Sequence, residues 1–88
     1  MNAMQGWAFM NITYTNYAEE TLRDREISKD NIEAALMQPI MVTEGKKGRK
    51  IAHKIFGNRL LRVIFEIEAN AYIVITAYYT EPKRYMGK

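Results

Sequence analysis

The spacing of apolar residues changes once along this chain. Up to about residue 37 they recur every three or four positions, and after residue 40 they alternate. Asn11 to Tyr14 reads as a short strand. Thr15 is placed to cap a helix that carries Glu19 and Glu20 near its positive end and runs to about Glu26, with Ala18, Leu22 and Arg25 along one stripe. Ser28 is a second cap. Ile27 before it and Ile32 four residues after it have the spacing of a hydrophobic staple. Ile32, Ala35 and Leu36 make the buried stripe of this second helix, and Pro39 stops it. Four strands are then predicted: Ile40 to Thr43, Arg49 to Phe56, Arg59 to Glu68 and Tyr72 to Thr80. Gly45 to Gly48 links the first two. Gly57-Asn58 has glycine where a type II′ hairpin turn needs it, and the last two strands join around Asn70. The tail from Glu81 to Lys88, with Pro82, reads as irregular.

The Gly57-Asn58 turn fixes a register. Phe56 pairs with Arg59, His53 lies opposite Arg62, and Arg49 lies opposite Glu66. Opposed residues share a face. One face then holds Arg49, Ile51, His53, Ile55, Leu60, Arg62, Ile64 and Glu66. The other holds Lys50, Ala52, Lys54, Phe56, Arg59, Leu61, Val63, Phe65 and Ile67. The run Leu61, Val63, Phe65, Ile67 is the most apolar alternation in the chain, so this face is expected against the helices, with Lys50 and Lys54 snorkelling to an edge. His53, Arg62 and Arg49 are expected to point to an open face, where trimming His53 would leave stability almost unchanged. The fold class expected is α+β, with two N-terminal helices packed on one face of a four- to five-stranded antiparallel sheet.

Eighty-eight residues make one domain with one modest core and little material for a deep pocket, which favours a surface-acting protein. Residues 1–10 read as a loose extension, with Met10 an alternative start. They lack the basic start and long apolar centre of a signal peptide, and no apolar run would span a bilayer, so a cytoplasmic location is expected. There is no cysteine and one histidine, a poor basis for a tetrahedral zinc site, and no metal or cofactor is expected.

Charge changes this picture. Residues 1–44 carry three basic side chains against seven acids, a net of −4, whereas residues 45–88 carry ten against three, a net of +7. No acid lies between Glu44 and Glu66, a stretch holding seven of the thirteen cations and His53. A folded basic surface points to a polyanion, RNA first; Lys-rich protection of strand edges is the plainer alternative. Lys46, Lys47, Arg49 and Lys54 are candidates to grip a nucleic-acid backbone, and Tyr79 to stack a base. For metal-free RNA cleavage His53 would be acid or base, Arg62 would hold the phosphate, and Arg84 and Tyr85 would close the site from the tail. Each has a bland alternative: a lone strand histidine is usually structural or solvated, strand tyrosines pack, and Arg49 can simply pair with Glu66.

The stretch Tyr17-Ala18-Glu19-Glu20-Thr21-Leu22-Arg23-Asp24-Arg25-Glu26-Ile27-Ser28 resembles the opening of a widespread prokaryotic family of small domains of unknown function. That family typically reads His-Ala, then Arg, then Arg-Gly-Ile-Ser. The strands Asn58 to Val63 and Ile73 to Tyr78 also match, and the likeness covers roughly residues 12–85. The family is similar in layout to the RelE and BrnT ribonuclease toxins. The resemblance implies a metal-independent ribonuclease toxin of a type II toxin–antitoxin pair, acting on RNA such as ribosome-associated mRNA and held by a cognate antitoxin. Two departures stand out: Tyr17 replaces the family's histidine, and Glu26 its glycine. The alternatives are a non-enzymatic nucleic-acid-binding module and a protein-interaction domain meeting an acidic partner.

Overall fold

Both predicted caps are made. In the computed structural model, which describes residues 11–84, the Thr15 hydroxyl accepts from the Ala18 N–H at 3.0 Å and the Ser28 hydroxyl from the Asn31 N–H at 3.1 Å. They start α1 (Asn16–Asp24) and α2 (Lys29–Met37). Ile27 and Ile32 are both buried, as a staple requires, and Ile32, Ala35 and Leu36 are the buried residues of α2. Between the helices the Ile27 N–H bonds to the Leu22 carbonyl and the Glu26 N–H to the Arg23 carbonyl. This is a Schellman closure, which needs a left-handed residue at its turning point. Glu26 supplies it with φ +57°, a position where glycine carries no steric penalty.

The strands are β1 (Asn11–Tyr14), β2 (Met41–Glu44), β3 (Lys50–Phe56), β4 (Arg59–Glu68) and β5 (Ala71–Thr80). A short 3₁₀ turn, Lys46–Gly48, links β2 to β3, and another, Pro82–Arg84, follows β5. The sheet order is β1-β5-β4-β3-β2. Element boundaries fall within two residues of expectation. The sheet itself differs: β1 pairs parallel to β5 while every other pair is antiparallel. The sheet is therefore mixed, and the helices lie between its first and second strands instead of preceding it. Four residues of alternation mark β1 as a strand but carry no sign of which distant strand it joins.

The β3–β4 register is as the turn predicts, with Phe56 opposite Arg59 and His53 opposite Arg62. Gly57 lies at φ +65° and Asn58 at negative φ, the pattern of a type II′ turn. Ala52, Leu61, Val63 and Phe65 pack with Ala18, Leu22, Ile27, Ile32, Ala35 and Leu36 in one core, so both helices cover this face. Each large aliphatic side chain buried there contributes about 1.5–3 kcal/mol. Ile67, at the end of the same run, is half exposed. Lys54 snorkels as expected, its Nζ donating to the Gln38 carbonyl at 2.9 Å, and Lys50 reaches Glu44 at 3.1 Å.

Between β4 and β5 the register shifts after Ile64. Phe65 pairs with Val74 but Ile64 pairs with Thr76, leaving Ile75 as the extra residue of a bulge. Val74 and Ala77, three apart, therefore both face the core, and both are fully buried. Beyond Val74, β1 no longer covers the edge of β5. The Thr15 hydroxyl donates to the Ile75 carbonyl at 3.3 Å and Arg25 to the Ala77 carbonyl at 3.0 Å, closing that edge from α1.

Candidate nucleic-acid interface

His53 and Arg62 are cross-strand partners, but the face they share is not open at His53. The imidazole is 1% exposed and Leu60 beside it is 0% exposed. By register His53 is ringed by Met41 and Thr43 on β2, Ile51 and Ile55 on its own strand, and Leu60, Arg62 and Ile64 on β4. A central strand with bulky neighbours on both sides can close over a side chain without a helix. His53 Nε2 lies 3.0 Å from the Thr43 hydroxyl, and Nδ1 is buried with no partner among the described residues. Burial pushes the His53 pKa below the usual histidine value, and the Arg62 charge pushes the same way. The ring is therefore neutral near pH 7 and shut away from a substrate hydroxyl.

Arg62 turns to β5, where its guanidinium donates to the Tyr78 hydroxyl and lies 5.5 Å from the centre of that ring. The bulge makes this contact possible. Counted from the Ala69-Asn70 turn, Arg62 would face Ala77, and the extra Ile75 puts Tyr78 there instead.

Two shallow grooves open along the sheet. One, of ≈ 580 Å³, is lined by Glu44, Gly45, Lys46, Arg49, Ile51 and Ile64. Arg49 Nε holds Glu66 at 2.9 Å across it, the pairing expected from the register. Both side chains are partly exposed, so the pair contributes little stability. Lys47, at φ +61°, is exposed in the same turn. The second groove, ≈ 550 Å³, is lined by Arg59, Tyr78, Tyr79, Thr80, Glu81 and Arg84. Arg59 sits 3.8 Å above the Tyr79 ring, and the Tyr79 hydroxyl accepts from Asn31 at 2.9 Å. That hydrogen bond holds the tyrosine in place from α2.

Of the residues singled out from sequence, Lys46 and Arg49 share one groove, and Tyr79 and Arg84 share the other. Arg62 stands between them on β4. Lys54 lies on the helix-covered face, as Arg59 and Tyr79 do, and lines neither groove. Tyr85 lies outside the described residues, as does the proposed loose extension of residues 1–10. Arg59 and Tyr78 join the site without a signal in the sequence that singles them out. Arg59 is legible only as a turn residue, and Tyr78 depends on a bulge that no glycine marks.

The family model for the domain of unknown function DUF4258 matches residues 14–79, three quarters of the chain. The chain belongs to the DUF4258 family. The match runs from the last residue of β1 to the penultimate residue of β5, so it takes in both helices, His53, Arg62, Tyr78 and Tyr79. Glu26, where the resemblance expects a glycine, occupies the left-handed turning point here. Tyr17, at the place of its histidine, is an exposed residue in the first turn of α1. No curated protein and no solved structure matches the chain, so a RelE- or BrnT-like layout has no structural relative behind it.

Proposed function

We propose that this DUF4258 domain binds single-stranded RNA at the groove lined by Arg59, Tyr78, Tyr79 and Arg84. One observation carries the reading: Arg59 and Arg84 line a groove together with Tyr78 and Tyr79, and Arg62 backs the Tyr78 hydroxyl. Guanidinium groups neutralise phosphates and stack on bases, and tyrosine rings offer sequence-tolerant stacking platforms. Lys46 and Arg49 add cations in the other groove.

A second reading, cleavage by a toxin of this kind, is favoured by the Arg62–Tyr78 pair rather than by His53. Cleavage of this kind has the 2′-oxygen attack phosphorus and expel the 5′-oxygen, with one proton removed and one supplied. A phenol held by a guanidinium beside two further arginines has the groups to donate that proton and to stabilise the crowded phosphate.

The test is anisotropy of a short labelled single-stranded RNA across a range of salt. The Arg59→Ala, Arg84→Ala double variant should weaken binding and flatten the log–log salt slope by about 0.7 for each phosphate no longer neutralised. Unchanged affinity and slope would remove the groove from consideration. Incubating the same RNA in EDTA with wild type and Tyr78→Phe decides the second reading. It requires cleavage by the wild type that falls by about 10²-fold or more in the variant.

A further inference from the structure

β2 ends the sheet. Its far side faces no strand among the described residues. The Gly45 N–H donates to the Arg49 carbonyl at 2.7 Å, while the Arg49 N–H closes the turn on Lys46, so the Gly45 N–H points inward at the end of the β2–β3 ladder. Alternation along an antiparallel ladder then turns the N–H and C=O of Thr43 inward, and those of Val42 and Glu44 outward. Ile40 and Val42 are 48% and 47% exposed, large aliphatic side chains two apart beside that open edge. The edge is only partly protected. The strand is short, Pro39 lies just before it, Ile40, whose N–H donates to the His53 carbonyl, joins Met41 opposite His53, and Glu44 is its one charged residue, but no proline or lysine lies within it.

The surroundings are cationic. Lys46 and Lys47 follow the strand, Lys54 sits at its start through the Gln38 carbonyl, and Arg49 and Lys50 flank it. Of these five cations two already hold acids, Arg49 with Glu66 and Lys50 with Glu44. A second copy of this chain fits poorly. Antiparallel β2–β2 pairing would bring Lys46 and Lys47 of one copy against the Lys54 end of the other.

We infer that the β2 edge accepts an extended acidic segment of another protein as an additional strand. Main-chain bonds to Val42 and Glu44 would hold it. Apolar side chains would cover Ile40 and Val42, and carboxylates at its ends would meet Lys54 and the Lys46–Lys47 turn. Such docking shares Lys46 with the RNA reading but not the arginine–tyrosine groove, and it rests on outward main-chain bonds of Val42 and Glu44 that RNA does not pair with as a strand.

The probe is a capped octapeptide with valine at alternate positions and glutamate elsewhere. Its controls are the same peptide with lysine for glutamate, and the same peptide N-methylated along one backbone edge. Amide hydrogen exchange of the wild-type protein should slow at Val42 and Glu44 when the acidic peptide is added. The lysine and N-methylated peptides should each bind at least tenfold more weakly. Val42→Pro, which removes an outward N–H but no bond to β3, should also lose at least tenfold. If that variant fails to fold, the exchange pattern and the N-methyl control still decide the matter. Equal binding of the N-methylated peptide would overturn the inference by showing attraction of charge alone. So would slowed exchange at Val42 and Glu44 in the protein alone through self-association, or protection of the same amides by single-stranded RNA.

Discussion

The buried neutral His53 makes a pH prediction that the chain tests cleanly, because it has no other histidine. In the unfolded chain the imidazole takes a proton near its ordinary pKa of 6.5. In the folded protein, desolvation and the Arg62 charge lower that value. Between the two the unfolded state binds more protons, so stability falls as pH falls. The loss begins as pH drops through 6.5 and stops growing below the lowered folded value. Even with the folded ring neutral throughout, the loss at pH 5.5, one unit below the ordinary pKa, is at most about 1.4 kcal/mol. For a domain of this size that is a fall in Tm of roughly 6–11 °C.

The assay is urea unfolding at intervals from pH 7.5 to 5.5, with wild type compared against His53→Gln. Glutamine fills much of the space and can still reach the Thr43 hydroxyl, but it does not titrate. Its stability should be nearly flat over this range, while that of the wild type declines. A flat wild-type profile, a profile rising toward acid, or the same slope in His53→Gln would each refute the reasoning. His53→Ala is a harsher change. It removes a fully buried ring and its hydrogen bond with Thr43, and should cost about 2–4 kcal/mol. Loss of activity in that variant would therefore report unfolding unless stability were measured beside it.

Two further substitutions test the backbone and edge arguments. Glu26→Gly should stabilise by about 0.5–1 kcal/mol, because the Schellman turn holds this residue at φ +57°; a lowered Tm would show that the Glu26 side chain contributes more than the strain it brings. Arg25→Ala should cost about 1 kcal/mol and speed exchange in the second half of β5, since it strips the donor from the Ala77 carbonyl; unchanged exchange there would mean that water replaces the guanidinium without cost.

Local chemistry is readable from the chain and long-range placement is not. Thr15, Ser28, the Ile27–Ile32 staple and Pro39 each act within a few residues, and each does what its position predicts. The Gly57-Asn58 turn carries the β3–β4 register because a two-residue loop leaves no slack. The same count from Ala69-Asn70 fails for β5. Nothing in Ile73-Val74-Ile75-Thr76 marks the bulge, since it falls in a run of β-branched residues suited to either face. The parallel pairing of β1 is hidden for a related reason, being settled by partners as far apart in the chain as Asn11 and Ala71. The open placement expected for His53 fails because a face without helices is not the same as a face open to water. Leu60, Ile51 and Ile64 on that face are the warning: aliphatic side chains around a histidine on a central strand exclude water by themselves.

The bulge at Ile75 ties the core to the candidate site. Without it β5 would alternate strictly from Val74 onward. Thr76 and Tyr78 would join Val74 on the helix face, and Ala77 would stand opposite Arg62. A threonine and a tyrosine would then enter the space that Ala77 now fills, where α1 approaches closely enough for Arg25 to reach the strand. One inserted residue lets the small Ala77 face the helices and sends Tyr78 across to Arg62. The same displacement puts Tyr79 over the core edge, within reach of Asn31 and under Arg59. The pair of tyrosines that lines the second groove, one from each face, thus follows from a single irregularity. Bulges are common next to functional sites because they re-aim side chains, here every one from Thr76 to the end of β5. Here the demands of packing against α1 and of presenting Tyr78 are met together, so neither can be altered by sequence change in β5 without moving the other.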